Sequence, residues 1–159
     1  MRILGIDPGT GIMGFGVVEA VAKPRLIDAG VIRTKVHQPE SERLLIIYDA
    51  LRDIVQATNP HMLSVEKLFF ARNVTTAMSV AQARGVVLLV AQQHNLPIYE
   101  YTPMQIKLSL TGYGKADKKQ VQEMVRVILN LQEVPKPDDC ADALAAALTH
   151  HAHHTVRGV

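Results

Sequence analysis

Residues 2–10, RILGIDPGT, decide the fold. Ile3, Leu4, Gly5 and Ile6 form a short uncharged run, and Pro8-Gly9 closes it. Such a run reads as a buried strand ended by a turn. Asp7 then stands at the carboxyl end of that strand. Next come GFGVVEAV (14–21) and RLIDAGVIRT (25–34), both rich in Val and Ile, with Lys23-Pro24 between them. They predict two further strands in a hairpin.

Beyond residue 40 the apolar period changes. Leu44, Ile47, Tyr48, Leu51, Ile54 and Val55 recur at spacings of three and four, predicting a helix over 41–57 that Asn59-Pro60 ends. MLSVE (62–66) reads as a strand. Residues 74–93 predict a long helix. It is apolar on so much of its circumference that it is either central to the core or half covered by a partner chain. LPIYEY (96–101) reads as a strand, and Thr102-Pro103 starts a short helix. A glycine loop at 111–119 leads into a helix over about 117–130, and a last helix runs from Asp138 to about His153. Three strands, helix, strand, helix, strand and then helices describe a mixed α/β sheet. One side of it is an antiparallel hairpin and the other parallel crossovers.

Length and composition bound the rest. A chain of 159 residues fits one domain, residues 1–159, and buries enough surface to hold a core without metal or disulfide. Apolar residues at 48% and charged residues at 20% exclude intrinsic disorder. No apolar run reaches membrane-spanning length. The apolar stretch before Asp7 is too short for a signal peptide. The single cysteine, Cys140, suits a reducing compartment and reads as a small buried residue. A net charge of +2 predicts no nucleic-acid partner by itself; a local patch has to be found.

Four carboxylates are the main chemical signal. Asp7 and Glu66 end two strands, and sites in α/β sheets form at carboxyl ends of strands. Asp139 and Asp142, three apart in the first turns of the last helix, share one face. Each has an ordinary explanation alone. Asp before Pro-Gly forms turns, and Asp at a helix start caps it, Asp138 being the best candidate for the true cap. Glu66 has no such local role. Gathered together, four carboxylates raise one another's pKa, a penalty that a hard divalent cation removes. Mg²⁺ takes oxygen ligands, and a pair of ions about 3.5–4 Å apart can activate water and steady the leaving oxygen of a phosphodiester.

Other motifs carry less. Gly9, Gly11 and Gly14 fit G-x-G-x-x-G, but a strand follows where a dinucleotide site needs a helix. His150, His151, His153 and His154 read as a solvated or frayed helix tail. Residues 107–126 hold Lys107, Lys115, Lys118, Lys119 and Arg126 against Asp117 and Glu123, an excess of three positive charges around Gly112 and Gly114. That suits phosphate contacts, or simply a solvated face. Phe69-Phe70 and Arg72 follow Glu66, and Tyr113 lies in the glycine loop. These aromatics serve either core packing or base stacking.

Five segments, LGIDPGTGIMGFGVV, VEKLFFARN, AQARGV, YTPMQIKLSLTGYGKADKKQVQEMV and DDCADALAAALTH, together resemble the RuvC family of bacterial crossover junction endodeoxyribonucleases. The resemblance covers roughly residues 3–154. It implies a ribonuclease H-like fold with a mixed five-stranded sheet, and a homodimer that nicks four-way (Holliday) DNA junctions symmetrically in recombination and repair. It implies Mg²⁺, with Mn²⁺ able to substitute and two ions per site, held by Asp7, Glu66, Asp139 and Asp142. Contacts to the cut strand fall on Lys107 and Lys118, and a wedge aromatic on Phe69. Arg72, Tyr113, Lys115 and Lys119 are further candidate DNA contacts. The helix at 74–93 resembles the family's dimer helix. RuvA and RuvB are the implied partners and the cytoplasm, at the bacterial nucleoid, the implied location. Two rivals stand beside this reading. One is an actin-like or sugar-kinase phosphotransferase, suggested by Asp7, Gly9 and Thr10. The other is a junction-binding protein without catalysis.

Overall fold

The computed structural model describes residues 1–68 and 74–157. Strand β1 is Arg2–Asp7, β2 is Ile12–Glu19 and β3 is Arg25–Arg33. Helix α1 is Glu40–Thr58, strand β4 Met62–Glu66, helix α2 Val74–Gln93 and strand β5 Ile98–Tyr101. Helices α3 (Pro103–Thr111), α4 (Lys118–Ile128) and α5 (Asp138–Arg157) follow. The five strands form one sheet in the order β3-β2-β1-β4-β5. β1, β2 and β3 pair antiparallel, while β1, β4 and β5 run parallel. The expected hairpin and crossovers are both present, and the architecture is the ribonuclease H-like fold.

Alternation along the strands feeds two cores. Leu4, Ile6, Met13, Val17, Leu63 and Val65 point to one face and pack under α1 and α2. Ile3, Val18, Met62 and Tyr101 belong to the other face, where α5 lies with α3 and α4. α5 brings Leu144, Ala145, Ala146, Ala147 and Leu148 to that core, all 1% exposed or less.

Small residues let α5 sit directly on the sheet. A Cβ on Gly5 would stand 2.0 Å from the Ala143 carbonyl oxygen, and one on Gly14 1.9 Å from that of Asp139. Neither distance is compatible with a side chain, so glycine at these positions sets the height of the helix over β1 and β2. Farther across, the buried Ser64 hydroxyl of β4 donates to the Ala146 carbonyl at 2.6 Å. α5 therefore crosses the sheet from β2 toward β5.

Several boundaries differ from the sequence reading. β2 begins at Ile12, because its pairing with β3 continues to Ile12 opposite Arg33. β5 begins at Ile98; the preceding Leu96 is buried without being in the strand. α4 starts after Asp117, whose carboxylate accepts from the Gln120 amide at 2.8 Å while the Gln120 side chain accepts from the Asp117 amide at 2.9 Å. This reciprocal capping box fixes where the glycine loop becomes helix, and Thr102 and Gln105 form the same device at α3. Asp138 is not the residue preceding α5 but its first residue, and its carboxylate pairs with Lys118 at 3.4 Å.

Candidate active site

Pairing register alone brings the first two acids together. Ile6 of β1 lies opposite Val65 of β4, so Asp7 and Glu66 are the next residues on neighbouring parallel strands. With side chains alternating, Asp7 falls on the face of Gly5, and Glu66 on the face of Ser64. Both of those residues touch α5. Across the antiparallel pair Asp7 is opposite Gly14, on which the backbone of Asp139 rests. Asp142 follows three residues later on the same helix face. Backbone positions bearing four carboxylates, from three elements, thus lie together where the strands end.

The field at this place is that of crowded negative charge. Asp7 is pushed up to about 7, first by burial and then by Asp142, Asp139 and Glu66; Lys118 opposes the rise. Glu66 is raised by burial and by Asp142, against Lys107 and Lys118. Asp142 is raised chiefly by burial, although Lys118 binds it. The Lys118 ammonium lies 3.0 Å from Asp142 and 3.4 Å from Asp138. Burial works against its charge, but the hydrogen bond to Asp142 holds its pKa above the ordinary value.

Donor chemistry and field suit a hard divalent cation: every donor is a carboxylate oxygen, and their mutual repulsion is what a cation offsets. The side-chain tips do not meet the expectation of a ready-made cradle. Among the described residues no group of three or more His, Cys, Asp or Glu stands arranged to hold a metal. The Lys118 ammonium bridges Asp142 and Asp138. The backbone thus aligns the carboxylates, while their tips remain apart.

The basic residues divide. Lys107 and Lys118 line a cavity of about 250 Å³ together with Asp142, so they flank the acids. Tyr113 and Lys119 line a separate cavity of about 480 Å³ beside α4. Lys115 is exposed in the glycine loop. Phe69 and Arg72 lie outside the described residues.

The terminal histidines are not a uniformly solvated tail: His154 is exposed and His151 and His153 are half-buried, but His150 belongs to the core. His150 is 3% exposed, its Nδ1 is 2.8 Å from the Tyr101 hydroxyl, and its ring centroid is 4.0 Å from that of Tyr99. Burial, then the neighbouring His154, His153 and His151, push His150 down to about 4, so it is neutral at physiological pH. The signal was present in the spacing: His150 follows Ala143 and Ala147 by seven and three residues, on the buried stripe of α5. Cys140 is buried as expected, and burial raises its thiol pKa.

Known proteins resemble the chain in sequence and in shape. Residues 3–150 match the family described as crossover junction endodeoxyribonuclease RuvC. The RuvC of Desulfitobacterium hafniense is 56% identical over 151 residues, covering 94% of this chain and 92% of that protein. That of Brevibacillus brevis is 54% identical, covering 94% and 91%. The structure of Thermus thermophilus RuvC in complex with a Holliday junction substrate superposes with a TM-score of 0.94 at 40% identity, covering 99% of this chain and 96% of that one. Similar along nearly its whole length in both sequence and shape, the chain belongs to the RuvC family of crossover junction endodeoxyribonucleases, which are divalent-metal-dependent nucleases.

Proposed function

We propose that this chain, as one nuclease domain, resolves four-way DNA junctions by hydrolysing a phosphodiester in each of two strands during recombination and repair. The observation that carries the reading is the register that sets Asp7 beside Glu66 beneath the first turns of α5. Asp7, Glu66, Asp139 and Asp142 are the catalytic, metal-holding residues, for two Mg²⁺ ions, with Mn²⁺ able to substitute. When bound, the ions lower the pKa of the attacking water and neutralise charge on the leaving oxygen. The water would lose a proton to solvent as its oxygen bonds to phosphorus, the bond to the 3′ oxygen would break, and that oxygen would take up a proton from solvent, leaving a 5′ phosphate and a 3′ hydroxyl.

The residues of the chain supply position. Lys107 and Lys118 hold backbone phosphates beside the acids. For Lys118 this means exchanging Asp142 and Asp138 for the strand. Phe69 stacks where base pairs open, and Arg72, Tyr113, Lys115 and Lys119 make outlying contacts with DNA. α2 leaves Val74, Met78 and Leu89 exposed, at 70%, 62% and 53%. This face supports a homodimer, whose two-fold axis matches that of the junction. RuvA and RuvB are the proposed partners in the bacterial cytoplasm, at the nucleoid. Among the described residues no helix is long and apolar enough to cross a membrane.

The test is a synthetic four-way junction incubated with the protein and Mg²⁺, with nicks mapped on all four strands. Paired nicks at equivalent positions in two strands of like polarity are expected. Binding of the junction without metal-dependent nicking would leave only a junction-binding protein.

A further inference from the structure

We propose that Arg33 and Lys136 form a second phosphate-binding wall, which holds the backbone of the cut strand on the Asp139 side of the acids, beyond the cavity that Lys107 and Lys118 line. The inference rests on the nuclease reading and adds to it the path of the strand. Two openings meet at the first turns of α5. One is the cavity with Lys107, Lys118 and Asp142. The other is an open trough of about 690 Å³, lined by Arg33, Lys136, Pro137, Asp138 and Asp139. Asp142 faces the first and Asp139 the second, so a strand lying over the acids leaves one opening and occupies the other.

The charges in the trough point to an anionic occupant. Arg33 ends β3, and Lys136 precedes α5 by two residues; both are exposed. Neither forms an ion pair with another described residue, although two carboxylates line the same trough. Asp138 is already taken by Lys118. Arg33 and Lys136 therefore remain available as cations close to Asp139. A phosphodiester strand approaching four carboxylates is repelled by them. Cations on one side only would anchor the strand at one end, whereas cations on both sides hold the phosphates either side of the cut. Arg and Lys are the side chains that make such sequence-independent backbone contacts.

The experiment compares wild type, Arg33→Ala, Lys136→Ala and the double variant on a synthetic four-way junction. Both side chains are exposed, and a thermal melt of each variant confirms folding. Each substitution should lower the slope of log affinity against log salt by about 1 and slow nicking. Junctions carrying one neutral methylphosphonate at successive positions around the cut then locate the contact. Wild type should lose affinity when a phosphate on the trough side is neutralised. The double variant should be indifferent there yet remain sensitive on the Lys107 and Lys118 side. Wild-type salt slopes and an unchanged methylphosphonate map in the double variant would overturn the trough as the strand's path. Absence of nicking by wild type would count against the nuclease reading alone, because the binding map decides the trough without cleavage.

Discussion

Helix α5 sets half-buried carboxylates against the strand ends at its start and a buried histidine near its end, and the two ends resolve the cost of burial differently. At its start, Asp139 and Asp142 lie over Asp7 and Glu66, and burial with mutual repulsion lifts Asp7 to about 7. Near its end, burial and neighbouring imidazoles push His150 down to about 4. Histidine escapes by staying neutral, with the Tyr101 hydroxyl as hydrogen-bond partner. Four carboxylates at neutral pH have no equivalent escape, since protonating one leaves the others charged. The same physics closes one end of the helix and leaves the other in need of a cation. Stored electrostatic cost, rather than the mere presence of titratable groups, distinguishes the site.

The sharpest way to break this contrast is Asp7→Asn. Removing a side chain that only hydrogen-bonds a metal ligand costs roughly 10–100-fold in metal affinity or activity, and loss of a proposed ligand itself should exceed that. Nicking should fall by more than about 100-fold, while gel-shift affinity for the junction is retained. Nicking at the wild-type rate would remove Asp7 from the chemistry.

The same variant should be more stable than wild type, in a way that depends on pH. Asp7 binds its proton more tightly in the folded chain, about 7 against an ordinary 3.8. Its contribution to stability is therefore complete below about 4 and is lost as pH climbs through about 7. Asparagine cannot ionise, so without divalent metal the advantage of Asp7→Asn should grow from near zero at acid pH to as much as about 4 kcal/mol above neutrality. Millimolar Mg²⁺ should then raise the melting temperature of wild type more than that of the variant. An equal difference between the two proteins at pH 4 and pH 8 would mean that Asp7 carries no such burden.

A smaller effect tests whether the acid end depends on the height of the helix. Gly14→Ala places a Cβ against the Asp139 carbonyl oxygen, a backbone atom that cannot turn aside. Overpacking of this kind costs about 1–3 kcal/mol, and the shift of α5 should carry Asp139 with it. Melting temperature and nicking should fall together. A destabilised variant with undiminished nicking per folded molecule would show that the acids tolerate displacement.

How much of this was legible beforehand follows from which forces are local. β1, β4 and α2 were legible because their apolar patterns are complete in themselves: the 74–93 and 62–66 boundaries coincide with the observed elements. The strand-end positions of Asp7 and Glu66 followed from the same patterns. Leu96 extended the apparent strand because an apolar side chain can be buried from a loop as well as from a strand. Long-range pairing was not legible. Charge placed Lys118 in a basic segment and the family resemblance made it a candidate phosphate contact, but nothing local reveals a partner 24 residues away at Asp142. Gly14 was weighed as part of a phosphate loop, whereas its role is to admit a helix backbone. His150 was misread because position near a chain end and polarity both suggest solvent. Its place on the buried stripe of α5 was the stronger signal.

The mildest change tests whether the two ends of α5 are separate. Tyr101 belongs to both neighbourhoods: its backbone pairs with Glu66, and its hydroxyl reaches His150. Tyr101→Phe keeps the ring and removes the hydroxyl, which should cost about 0.5–1.5 kcal/mol. The pH dependence should persist, because burial is the first cause of the shift in His150. A histidine with a lowered folded pKa gives stability that is complete above about 6.5 and lost as pH falls through about 4, so the acid limb should keep its position while the whole curve drops. Nicking per folded molecule should stay near wild type, since the acids take their places from strand register and from the glycine seat under the start of α5. A selective loss of nicking, with junction binding and the acid limb intact, would mean that the hydroxyl helps to orient Glu66. The histidine end would then have to be counted as part of the site.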